Sequence, residues 1–166
     1  MDIRPARQDD LPTIASIHAL SWRDAYAGIL PADYLRDQVQ QDLQAYWEQR
    51  EILPQDVVLV ADTTEGPVGL VAVWCRPSPF IDNLHVLPSM RSRGIGAALM
   101  EAAAGRLVAQ GHSTAYLWVF EGNVAAIRFY QRLGAVKGRH EMKEVFGHRV
   151  PSVRMDWSDL SAIGAG

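Results

Sequence analysis

Two hydrophobic rhythms, one of period two and one near 3.6, alternate along this 166-residue chain, and the switches between them mark the elements. Ile3 to Arg7 reads as a short strand. Asp9-Asp10-Leu11-Pro12 then supplies an N-cap and an early proline, after which Leu11, Ile14, Ile17 and Leu20 recur at helical spacing. A break at Gly28 to Pro31 precedes a second helix, opened by Pro31-Ala32-Asp33 and carrying Tyr34, Leu35, Val39, Leu43 and Tyr46-Trp47. Val57 to Ala61 and Val68 to Trp74 are β-branched-rich runs joined through Glu65-Gly66-Pro67 and predict a hairpin; Phe80 to Leu87 predicts a third strand. Helical period returns over 94–109, with Ile95, Leu99, Ala102, Ala103 and Leu107 on one stripe, and stops at Gly111. Tyr116 to Phe120 predicts a strand and Asn123 to Leu133 a helix stopped by Gly134; the tail offers two strands, around Val136–Val145 and Val153–Trp157. The expectation is one α+β (mixed α/β) domain over 1–166, with helices packed on a mostly antiparallel sheet.

Composition narrows the class. The chain is 48% hydrophobic and 21% charged, the balance of a soluble globular domain, and at this length about 70% of the unfolded surface can be buried without help from a disulfide or a metal. Cys75 is the single cysteine, which excludes an internal disulfide framework and fits a reducing compartment; its expected role is core filler. His18, His85, His112, His140 and His148 show no metal-ligand spacing, so no metal is expected and each reads as a packed or surface residue. Charged residues follow Met1 at once and no segment reaches 18 apolar residues, so neither a secretory leader nor a membrane span is expected, and the location implied is cytoplasmic. The net charge of −3 conceals a split: residues 1–65 hold 12 acidic and 5 basic groups, residues 66–166 hold 7 and 11. That balance disfavours a general nucleic-acid binder, while the asymmetry steers partners of opposite sign to different faces.

Candidate chemistry concentrates where the third strand runs into the helix at 94. Arg91-Ser92-Arg93-Gly94-Ile95-Gly96 sits at a strand-to-helix turn, where free backbone N–H groups and the positive end of the helix dipole suit a phosphate. Taken alone, the two glycines equally serve a tight connection. The segment lacks the P-loop pattern and the third glycine of a dinucleotide fold.

The run Leu84-x-Val86-x-Pro88-x-x-Arg91-x-x-Gly94-x-Gly96-Ala97-Ala98-Leu99 resembles the acetyl-CoA-binding motif of the Gcn5-related N-acetyltransferase (GNAT) superfamily. Asn123-x-x-Ala126-x-x-Phe129-Tyr130-x-x-Leu133-Gly134 is similar to its second motif, with Ala135 in place of the final aromatic. The resemblance covers about residues 3–157 and implies a twisted, mostly antiparallel sheet of about seven strands flanked by about four helices. It also implies an acetyl-CoA-dependent N-acetyltransferase in which an amine attacks the thioester directly in a ternary complex. A non-catalytic acyl-CoA-binding or regulatory module on the same fold is the alternative.

By this resemblance the N–H groups of Arg91, Ser92, Arg93, Gly94, Ile95 and Gly96 hold the coenzyme A pyrophosphate, Leu84 and Val86 offer main-chain groups to the pantetheine arm, and Asn123 bonds the cofactor. Tyr130 takes the place of the general acid that protonates the departing thiolate. Bland readings stand beside these: Asn123 as an N-cap and Tyr130 as a half-buried core aromatic. With period two, Phe80, Asp82, Leu84 and Val86 share one strand face, which makes Asp82 the leading proton acceptor, through water; pairing with an arginine is the other reading. His85 points the other way. Trp22 and Tyr26, between the first two helices, fall in the lobe where the family binds its acceptor, or else pack helices. The acceptor expected is a small-molecule amine or a protein amino terminus, and a homodimer is left open.

Overall fold

The computed structural model describes residues 1–164. Seven strands form one sheet in the order β1-β2-β3-β4-β5-β7-β6, comprising β1 (Asp2–Pro5), β2 (Val57–Thr63), β3 (Gly66–Cys75), β4 (Pro79–Val86), β5 (Ala115–Phe120), β6 (Val136–Val145) and β7 (His148–Trp157). Every neighbouring pair is antiparallel except β4 and β5. Five helices pack on it: α1 (Leu11–Ala25), α2 (Ala32–Asp37), α3 (Val39–Gln49), α4 (Ile95–Ala109) and α5 (Val124–Arg132).

The near-continuous apolar runs of β2 and β3 follow from burial on both faces. On one face Leu59, Val71 and Val73 pack with Leu99, Met100, Ala103 and Leu107 of α4. On the other, Val58, Val60, Leu70, Ala72 and Trp74 pack with Ile14 and Ile17 of α1 and with Trp47 of α3. Removing a Leu such as Leu99, 0% exposed, from water contributes about 1.5–3 kcal/mol. β6, at the sheet's edge, is by contrast largely exposed.

Two expectations are corrected. The helix expected from Pro31 onward is two helices, so that five are observed for the about four expected. Gln38 leaves helical geometry at φ −123°, and Tyr34 and Asp42 stay joined across the bend by a 2.8 Å hydrogen bond. Leu35 and Val39 keep helical spacing across the break, so hydrophobic period carries no sign of it. The last strand begins at His148, not Val153, because Phe146 (φ 46°) and Gly147 (φ 82°) close a two-residue hairpin that pairs Val145 with His148. Such turns need positive φ at both central residues, and a phenylalanine does not announce one.

Helix α5 ends in a Schellman closure: Gly134 N–H donates to Gln131 O (3.0 Å) and Ala135 N–H to Tyr130 O (3.0 Å). Gly134 has φ 96°, and a Cβ there would meet the Ala162 Cβ at 2.9 Å. Gly134→Ala is therefore expected to cost about 1–3 kcal/mol. Thermal denaturation checks this, with Tm falling about 2–4 °C per kcal/mol.

Candidate active site

β4 and β5 are paired at a single position, Phe80 with Tyr116, and then part. The gap opens into a cleft of about 610 Å³, lined by Leu84 and Val86 of β4, Leu117 and Val119 of β5, the start of α4 and Tyr130 of α5. At its mouth Ser92 (φ 62°) and Gly94 (φ 76°) adopt left-handed geometry. The first N–H of α4 to reach a helical acceptor is that of Ala98, bonded to Gly94 O at 3.0 Å. Those before it, in Ile95, Gly96 and Ala97, are donors left over at a helix N-terminus that lines the cleft. Ile95 itself is buried, so only its backbone serves this surface.

The two arginines of the turn point in different directions. Arg93 is exposed and outside the cleft lining. Arg91 lines the cleft, but its guanidinium is turned onto α1, where it pairs with Asp24 and donates to Ser21 O (3.4 Å) and Ser21 Oγ (3.1 Å). The anion surface of the turn is thus chiefly backbone.

Asn123 caps α5, its Oδ1 accepting from Ala126 N–H at 3.3 Å, and it lines the cleft as well. Tyr130 is half-buried; its ring stands edge-on to Trp157 at 6.0 Å. Burial, and secondarily Tyr26, push the phenol above its ordinary range, so it stays protonated and remains a donor.

A second cleft of about 510 Å³ lies on the α1–α3 side, walled by Tyr46, Phe80, Tyr116 and Phe146, with Lys143 and Glu144 at its border. Tyr26, Asp82, His85, Trp118 and Phe120 line both clefts, so the two meet at these side chains. Trp22 lines the second cleft but is 7% exposed and packs within the apolar cluster of Ala19, Tyr34 and Leu35. Tyr26 ends α1, its ring 4.6 Å from Phe120, and burial followed by the charge of Asp82 raises its pKa.

Asp82 is not on the face expected of it. The β3–β4 register slips between Ala72 and Val73, which pair with Asn83 and Ile81 and leave Asp82 as the extra residue of a bulge. Asp82 swings to the α1–α3 side, where Oδ2 accepts from Tyr46 O–H (2.7 Å) and Trp74 Nε1–H (3.0 Å), while Leu84 and Val86 pack toward α4. Neither donor was visible to period-two reading, because each is brought in by a different element. Among the described residues Asp82 pairs with no arginine.

His85 is packed. Its ring stacks on His18 at 4.2 Å, and Nδ1 is 3.0 Å from Ser21 Oγ. Burial, with the charge of Arg91, lowers its pKa to about 3; burial, then His85, holds His18 well below the usual imidazole range. Trp47 Nε1 donates to His18 Nδ1 (3.0 Å), which places the ring proton of neutral His18 on Nε2. An imidazole this hard to protonate is a poor proton acceptor, which leaves Asp82 as the carboxylate common to both clefts among the described residues. Sequence spacing gave no hint of this pair, whose members are separated by the whole first hairpin. No group of three or more His, Cys, Asp or Glu suited to a metal occurs among the described residues.

The Acetyltransferase (GNAT) family model matches residues 14–135. The chain belongs to this family. It is accordingly an acyltransferase, as are its named relatives. An uncharacterised N-acetyltransferase of Bacillus subtilis, YuaI, is 30% identical over 97% of this chain and 95% of its own length. In fold it is similar to the PaiA N-acetyltransferase of Thermoplasma acidophilum, solved in complex with coenzyme A (TM-score 0.73, 20% identity, 92% of this chain and 96% of that one). This chain is also similar in fold to yncA of Salmonella typhimurium, solved with its cofactor acetyl-CoA (TM-score 0.69, 20% identity, 96% and 94%). The GNAT fold expected from the two motifs, seven strands and a mostly antiparallel sheet, is the one observed.

The buried histidines set a pH dependence. Unfolded, they take a proton near 6.5; folded, His85 does so only near 3. The unfolded chain therefore binds more protons below about pH 6.5, so their contribution is complete above that pH and is lost as pH falls. Tm is expected to drop between pH 7 and pH 5, before carboxylates matter, and His85→Gln to flatten the drop by about one proton's worth, read by calorimetry across that window.

Proposed function

We propose that this GNAT-family chain transfers the acetyl group of acetyl-CoA to the nitrogen of a primary amine, by direct attack within a ternary complex. The observation that carries this reading is the meeting of two clefts at one carboxylate. One cleft ends on the unpaired N–H groups of α4, which suit a pyrophosphate; the other is aromatic-walled and open to an acceptor. Their junction is where a thioester and an amine come within reach of each other.

The residues then divide the reaction. The N–H groups of Ser92 to Gly96, with the amide of Asn123, bind the coenzyme, and Leu84 and Val86 on the open edge of β4 align its arm. Asp82 accepts, through water, the proton the ammonium must lose before its nitrogen attacks. As the C–N bond forms and the C–S bond breaks, Tyr130 donates its phenolic proton to the leaving sulfur. Its raised pKa keeps that proton available until negative charge develops. Tyr26 and Trp22 shape the wall facing the acceptor, which is a small-molecule amine or a protein amino terminus. A cytoplasmic setting, where acetyl-CoA is found and Cys75 stays reduced, completes the reading.

Thioester turnover across a panel of primary amines tests it. Free thiol released only when both acetyl-CoA and an amine are present is expected; acetyl-CoA binding with no turnover on any amine identifies a binding module instead. Tyr130→Phe keeps the ring against Trp157 and removes only the proton. It is expected to lower kcat and kcat/KM together by about 10²-fold, with acetyl-CoA Kd and Tm unchanged. A wild-type kcat, with chemistry shown to be rate-limiting, removes Tyr130 as the acid.

A further inference from the structure

Asp82 is exposed, and an exposed carboxylate ordinarily samples several rotamers. Here it does not hang free. The bulge leaves its backbone outside the β3–β4 register, and two aromatic donors from separate elements converge on one oxygen: Tyr46 O–H of α3 at 2.7 Å and Trp74 Nε1–H of β3 at 3.0 Å, both on Oδ2. Oδ1 has no protein partner among the described residues.

The two donors are themselves held. Trp74 is 5% exposed and packs on Trp47 at 6.2 Å, and Tyr46 stands edge-on to Trp47 at 5.3 Å. The Arg50 guanidinium covers both rings, 4.2 Å from the Trp74 centroid and 5.4 Å from that of Tyr46. Asn83 Nδ2 lies 3.5 Å from Tyr46 Oη, leaving the Tyr46 proton for Asp82. Burial and the neighbouring carboxylate keep the phenol protonated, so its O–H donates to Asp82 while its oxygen accepts from Asn83.

We propose that Tyr46 and Trp74 are positioning residues which clamp Oδ2 of Asp82, so that Oδ1 alone is presented to the acceptor at the junction of the clefts. The clamp acts through Asp82 and so rests on the reading of Asp82 as proton acceptor. Its benefit is preorganisation: the carboxylate is already oriented when the amine arrives, and no side chain is immobilised at the moment of reaction. The α3 helix thereby enters the catalytic machinery although it contributes nothing to the coenzyme cleft.

A double-mutant cycle over Tyr46→Phe and Asp82→Asn tests this, with kcat, KM, acetyl-CoA Kd and Tm measured on each variant. Phe keeps the Tyr46 ring between Trp47 and Arg50, so the fold is expected to survive. Tyr46→Phe should lower kcat/KM by about five- to tenfold, mostly in kcat, with acetyl-CoA Kd unchanged. In the Asp82→Asn background the same substitution should change kcat/KM by less than about twofold, because the group it acts through is gone. Trp74→Phe, put through the same cycle, should behave alike and serves if Tyr46→Phe folds poorly. Wild-type activity in Tyr46→Phe, or an equal penalty in both backgrounds, overturns the clamp while a slow Asp82→Asn leaves the proton acceptor in place. A fully active Asp82→Asn overturns both.

Discussion

Both clefts of this molecule depend on β4 and β5 ceasing to be neighbours after one residue pair. Parallel strands in a sheet interior normally continue side by side, since each exposed N–H and C=O left without a partner is costly. Here each strand is held fully on its other side, β4 by β3 along its length and β5 by β7 from Ala115 to Phe120, so neither loses its place when the pair separates. The apolar layer under α4 takes side chains from both halves of the sheet, whereas the one under α1 and α3 rests on β2 and β3. The result is an opening through the sheet, floored by strand edges, with a helix N-terminus at one end and aromatic side chains at the other.

The charge division along the chain becomes spatial in an unexpected way. Arg91, from the basic part, leaves the anion turn and reaches Asp24 and Ser21 of the acidic part. That contact ties the turn before α4 to α1 and, through Ser21, to His85 at the junction. The turn is left to act through backbone donors, whose geometry Gly94 and Ser92 fix by their left-handed conformations. Backbone N–H groups cannot rotate away, and their cost of ordering is met on folding, which suits a phosphate site better than a free arginine.

The junction contrasts a dry pair with a wet carboxylate. His18 and His85 are buried, stacked and neutral, contributing shape and hydrogen bonds without charge. Asp82, three residues earlier on the same strand, is kept at the surface by a bulge and met by two donors. One strand thus carries a buried imidazole and, three residues earlier, an exposed carboxylate whose direction the bulge sets.

Local chemistry was readable from residues alone wherever it depended on neighbours in the chain. The alternation of strands and helices, Gly134 as the stop of α5, the cap at Asn123, and the strand–turn–helix at Arg91 to Gly96 are all set within a few residues by periodicity, turn chemistry and capping. The division of α2 from α3 and the Phe146–Gly147 turn were not, since helical spacing survives the first and the second has no characteristic residue at its leading position. The direction of Asp82 was decided by the tertiary structure alone. Alternation assigns it to the face of Leu84 and Val86, and one unpaired residue in the β3–β4 register reverses that assignment. The partners of Asp82, the His18–His85 stack and the attachment of Arg91 to α1 join residues far apart in the chain. A sequence specifies which groups are available at each position; which of them touch is settled only when packing brings distant elements to one place.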